Sequence, residues 1–98
     1  MFNFLKNEGI SDEVIIKMLS TNSNVIVDSL VVSSDNCIKV IRYLREIGIT
    51  NIEDLLLYRI DLFIQRLSKV KERIEKMDIP KLVDSVNDNC FMIDMIYD

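Results

Sequence analysis

A seven-residue pattern occurs twice at an offset of 39, and it restricts the possible folds more than any other feature of the chain. Phe4-Leu5-Lys6-Asn7-Glu8-Gly9-Ile10 aligns with Tyr43-Leu44-Arg45-Glu46-Ile47-Gly48-Ile49, giving aromatic, Leu, base, two variable positions, Gly and Ile. A third, weaker copy, Arg73-Ile74-Glu75-Lys76-Met77-Asp78-Ile79, follows after a further 30 residues with Asp in the Gly position. Each copy leads into a helix-start signal: Ser11-Asp12-Glu13, Thr50-Asn51-Ile52-Glu53 and Pro80-Lys81. Self-similarity at such a period is the mark of stacked supersecondary units, each too small to bury its own apolar face.

Local physical chemistry makes these units helical. Gly9 and Gly48 sit where a helix ends, because glycine adopts the left-handed conformation after the cap without steric cost. Ser11 can cap the helix that follows it, with Asp12 and Glu13 favouring its positive end. Thr50 with Glu53 fits a reciprocal capping box. Ser34 opens a helix whose Cys37, Val40, Ile41 and Leu44 share a face at spacings of three and four. Leu67, Val70, Ile74 and Met77 form a similar stripe across a capping Ser68, and Pro80 suits the first residue of a helix. Val25-Ile26-Val27, with Val31 and Val32, has strand-like propensity. Its counterparts, Leu62-Phe63-Ile64 and Phe91-Met92-Ile93, are better helix formers, so the segment is expected to be a short helix as well. The expected fold is all-α, a short irregular array of about three helix-turn-helix units over roughly 1–33, 34–67 and 68–98 of a single domain.

Composition excludes several functional classes. At 98 residues, 49% hydrophobic and 29% charged, the chain is a folded domain rather than a disordered one. No apolar stretch is long enough to span a bilayer, and the N-terminus lacks the pattern of a signal peptide, so a cytoplasmic protein is expected. There is no His, and Cys37 and Cys90 are isolated from one another, which leaves no zinc spacing and no common general base. Reduced, buried thiols are the expectation for both cysteines. Asp84, Asp88 and Asp94 lack calcium-loop spacing, and Glu53-Asp54 reads as first-turn acids at a helix start. Neither an enzyme nor a bound metal or cofactor is expected, nor a small-molecule substrate or a membrane partner.

The order of residues resembles the repeat of the mitochondrial transcription termination factor (mTERF) family. The matching positions are Leu5 and Gly9, Leu44 and Gly48, the Leu55-Leu56-Leu57 helix, Leu62-Phe63 followed by Leu67-Ser68, and Ser29-Leu30. The family's Pro is replaced near Asn22 or Ser23 in one copy and by Ile60 in the other. The resemblance implies a helical solenoid and, in the family, a basic concave surface for duplex nucleic acid.

Two candidate sites follow. The net charge of −4 divides into −3 over residues 1–38, +3 over 39–81 and −4 over 82–98. In the basic middle, Lys39, Arg42 and Arg45, with Tyr43, are assigned to the polar side of one helix. Lys69, Arg73 and Lys76 recur at helical spacing on the next, with Arg59 and Arg66 nearby. In register they make a basic strip for phosphates. A solvated helix face with Glu46, Glu72 and Glu75 interleaved is the competing reading. The second candidate is the apolar C-terminal stretch, in which Phe91, Met92, Met95 and Tyr97 either fold back on the core or dock on a protein partner or a second copy. The preferred expectation is a non-catalytic protein-interaction module. The alternative is a small nucleic-acid-binding protein that uses the strip.

Overall fold

Gly9 and Gly48 each terminate a helix in the same way. In a computed structural model describing residues 1–97, Gly9 has φ +85° and Gly48 φ +109°. The Gly9 amide donates to the Lys6 carbonyl at 3.0 Å and the Ile10 amide to the Leu5 carbonyl at 3.1 Å. Gly48 and Ile49 make the same pair of bonds to Arg45 and Leu44, each at 3.0 Å. This double bond pattern satisfies the last free carbonyls of a helix, and the residue after the glycine packs back on the first carbonyl's side chain. Accordingly Leu5, Ile10, Leu44 and Ile49 are all buried. In the third copy Asp78 keeps φ −72° and instead caps the next helix, its carboxylate accepting from the Lys81 amide.

The described residues are all helical, with no strand. In order, α1 covers Asn3–Lys6, α2 Asp12–Thr21, α3 Asn24–Val32, α4 Ser34–Glu46, α5 Ile52–Tyr58, α6 Ile60–Ile64, α7 Leu67–Glu75 and α8 Ile79–Asp88, followed by a 3-10 run over Cys90–Tyr97. The β-branched segment at Val25 is helical, entered through a Ser23 side chain that accepts from the Ile26 amide at 3.3 Å. Ser11 caps α2 by accepting from Val14 at 3.3 Å. Cross-chain packing joins α1 with α4, α2 with α5, α3 with α6 and α4 with α7, while the 3-10 run lies against α5, α7 and α8. One core of Leu, Ile, Val, Phe and Met side chains runs through all of these layers, with Phe63 and Leu44 among its fully covered members.

Four local expectations are corrected by the structure. Thr50 and Glu53 do not form a capping box; Asn51 occupies the cap position without a side-chain bond. The Glu53 carboxylate instead accepts from the Ser11 amide at 2.9 Å, and the Thr50 amide donates to Asn87 Oδ1 at 2.9 Å. Ser68 lies inside α7 rather than capping it, and the Leu67 amide is satisfied by Asn36 Oδ1 at 2.9 Å. Pro80 is the second residue of α8, whose first turn equally lacks a partner for that amide. Tyr43 is buried in the core rather than on the polar side of α4, with Lys71 Nζ 5.2 Å from its ring centroid. At Thr50, Glu53 and Leu67 a group from elsewhere in the chain comes close enough to replace the local partner.

Candidate functional site

The C-terminal run divides into a buried half and an exposed half. Asn89 stops α8 in an extended conformation, φ −151° and ψ 111°, and its Oδ1 accepts from the Phe91 amide at 3.0 Å. A side-chain acceptor two residues back is the usual way Asn breaks a helix into a turn. Beyond the break, Ile93 and Ile96 enter the core, while Met95 and Tyr97 are half-buried against it. Phe91 remains 57% exposed and Met92 38% exposed. The Phe91 ring meets that of Tyr58, 37% exposed, at a centroid distance of 4.6 Å and an angle of 60°. Of the four apolar candidates, the run thus presents Phe91 and Met92 at the surface and turns Met95 and Tyr97 inward.

Arg59 fastens the buried half. Its guanidinium pairs with Asp61 at 2.9 Å and Asp94 at 3.1 Å, and stands 4.0 Å over the Tyr97 ring. Arg73 approaches the same ring at 5.1 Å, and the Tyr58 hydroxyl donates to Asp94. Burial, then the nearby Asp61 carboxylate, pushes the Tyr97 phenol up, against the opposing pull of the two guanidinium groups. The Tyr58 phenol is raised chiefly by its bond to Asp94. These groups hold the segment in place electrostatically.

The seven strip residues separate into two settings. Arg42 forms a two-point bond with Glu8, at 2.8 and 3.2 Å, and Arg45 donates to the Glu8 carbonyl at 2.6 Å. Arg73 faces Tyr97, and Lys76 pairs with Glu72 at 3.7 Å. Lys69, Glu72, Arg73 and Lys76 border one shallow depression along α7 and its C-terminal end. Lys39 and Arg66 lie outside it, and all seven side chains are exposed. Both cysteines are free thiols, Cys37 buried and Cys90 half-buried. Burial drives Cys37 up to about 12, with Glu8 adding to the shift, and burial likewise raises Cys90. Among the described residues, no three Cys, Asp or Glu side chains converge as a metal site, and no helix is long and apolar enough to cross a membrane.

Glu8 gives the chain an acid-sensitive contact. Its side chain is only 10% exposed, and its bond to Arg42 holds the carboxyl below its ordinary value of 4.5. A carboxyl lowered by folding contributes stability above its unfolded pKa, and that stability is lost as pH falls through the folded value. Thermal midpoints are therefore expected to drop on acidification below 4.5, and to drop less in Glu8→Gln. Parallel midpoint curves for the two proteins would remove Glu8 from the acid response.

Sequence reasoning overlooked a set of exposed apolar side chains on α2 and α3. Ile16 and Leu19 on α2, and Val25, Ile26 and Val32 on α3, lie at the surface, with Val32 87% and Val25 75% exposed. The signal was present: α3 is apolar on nearly every side but buries only Val27 and Leu30. Compared with protein-family models, curated proteins and solved structures, the chain matches none.

Proposed function

We infer that the chain is a helical-repeat array serving as a non-catalytic interaction module, which binds a protein partner through the patch formed by Tyr58, Phe91 and Met92. The observation that carries this reading is the exposed Phe91 ring packed on Tyr58 beside an exposed Met92. Aromatic and Met side chains are enriched at protein interfaces: rings offer large, rigid apolar area, and Met adapts to irregular surfaces. The repeat part of the reading is supported by the pairing of α1, α2 and α3 with α4, α5 and α6 in order, and by the matching glycine turns. The mTERF-like reading of that repeat belongs to the same proposal. The protein-binding function is preferred to nucleic-acid binding because Arg42, Arg45, Arg73 and Lys76 are engaged with Glu8, Tyr97 or Glu72.

Phe91→Asp tests the patch, since it adds a charge at a surface ring without opening the core. Affinity capture with the wild-type chain, Phe91→Asp and Val25→Asp as baits separates a specific surface from general stickiness. A partner retained by Val25→Asp and lost at least about tenfold with Phe91→Asp fits a hot-spot residue. Equal retention by both variants would sink the assignment of the patch.

A further inference from the structure

The C-terminal run has the properties of a segment that can be exchanged between two copies of the chain. We propose that Cys90–Tyr97 swaps into the same groove of a second copy, with Asn89 as the hinge. An exchanged element re-forms in the partner the contacts it made at home, so complementarity is guaranteed by identity. The inference does not rest on the partner reading: it is carried by the segment's buried half, although Phe91 and its contact with Tyr58 travel with the exchanged segment.

Three observations carry it. The hinge is short: Asn89 alone separates the end of α8 at Asp88 from the start of the 3-10 run at Cys90. Its extended backbone is held by its own side chain, which accepts from the Phe91 amide, and by the Met92 amide, which donates to the Asn89 carbonyl at 3.0 Å. Second, the run is eight residues of 3-10 helix, whereas such helices rarely exceed about four residues. The groove imposes a geometry that the local sequence does not favour.

Third, the sequence on either side of Asn89 is that of one longer helix. Ile79, Leu82, Val86, Asn89, Ile93 and Ile96 follow one another at alternating spacings of three and four, the stripe of a packed helix. If Asn89 becomes helical, α8 and the run form a single rod, and the segment leaves its own groove. Its contacts survive the change, because residues three apart share a face in both 3-10 and α geometry. Ile93 with Ile96, and Asp94 with Tyr97, are each three apart, and they are the apolar plug and the two groups that Arg59 holds. Delivered by a second copy, the same four side chains fill the same groove.

Complementary charge reversal provides the test. Arg59→Glu breaks the groove and Asp94→Arg breaks the segment, so either variant alone carries a like-charge mismatch at home. In an exchanged heterodimer, one groove joins Glu at 59 with Arg at 94, and the other keeps the native Arg59–Asp94 pair. Equimolar variants unfolded together and refolded at submillimolar concentration are expected to give a species of twice the monomer mass by light scattering, with one of each chain. Each variant alone is expected to remain monomeric or poorly folded. A mixture that stays monomeric while both chains are helical by circular dichroism would overturn the proposal. Should neither chain fold even when mixed, Asn89→Ala decides, since it removes the bond that holds the break and favours a continuous α8. A raised dimer fraction over wild type supports exchange, and a monomer at every concentration refutes it. Loss of partner capture in Phe91→Asp affects neither outcome.

Discussion

Phe63→Ala is expected to lower the unfolding free energy by about 3–5 kcal/mol, the usual cost of truncating a buried aromatic ring. Phe63 lies in α6 with no exposed surface, and α6 packs against α3, α4 and α5. The substitution therefore opens a void where several helices meet, and no solvent-side rearrangement can close it. Domains of this size are usually stable by only about 5–15 kcal/mol, so the variant is expected to sit near the edge of folding. Urea titration followed by circular dichroism measures it: the midpoint should fall sharply with the slope preserved. A loss under about 1 kcal/mol would mean that Phe63 is not in a packed interior.

Gly48→Ala is expected to cost about 1–3 kcal/mol, and more than Gly9→Ala, although the two glycines hold equivalent turns. Both have positive φ, so any Cβ is strained at either place. The surroundings differ. A Cβ at Gly9 would meet only the far end of Arg45, at 3.7 Å, whereas at Gly48 it would lie 3.2 Å from Val83 Cγ1. Val83 belongs to α8 and is itself buried, so it has little room to retreat. Denaturation of the two variants gives the comparison directly, and a cycle with Val83→Ala isolates the contact from the backbone strain. If Gly9→Ala cost the same as Gly48→Ala, the α8 contact would carry no weight.

The candidate sites were legible to different degrees. Phe91, Met92, Met95 and Tyr97 could be named because a dense apolar run is visible in the sequence. Its division into inward and outward halves follows the burial of Ile93 and Ile96 in the core, with Arg59 fastening the inward half. Asp61, Asp94 and Tyr97 converge on that residue from 2 to 38 positions away, and no local pattern signals it. The basic strip was legible as charge at helical spacing, but not its tertiary partners. Arg42, Arg45, Arg66 and Arg73 are all exposed, but the partners that engage Arg42 and Arg73, Glu8 and Tyr97, are supplied by other parts of the chain.

The sequence by itself determined the helical class, the two glycine stops and the Ser11 start. These are decided within one turn of chain, by which φ values a residue tolerates and which amides its side chain can reach. Tertiary structure alone decided that Glu53 serves the Ser11 amide, 42 residues away, that Asn87 serves the Thr50 amide, 37 away, and that Asn36 serves the Leu67 amide, 31 away. It also decided that Tyr43 is buried and that the C-terminal run breaks from α8. A local cap and a distant one have nearly the same net worth, about 1 kcal/mol. The choice between them therefore falls to whichever partner the packing of the core brings within reach.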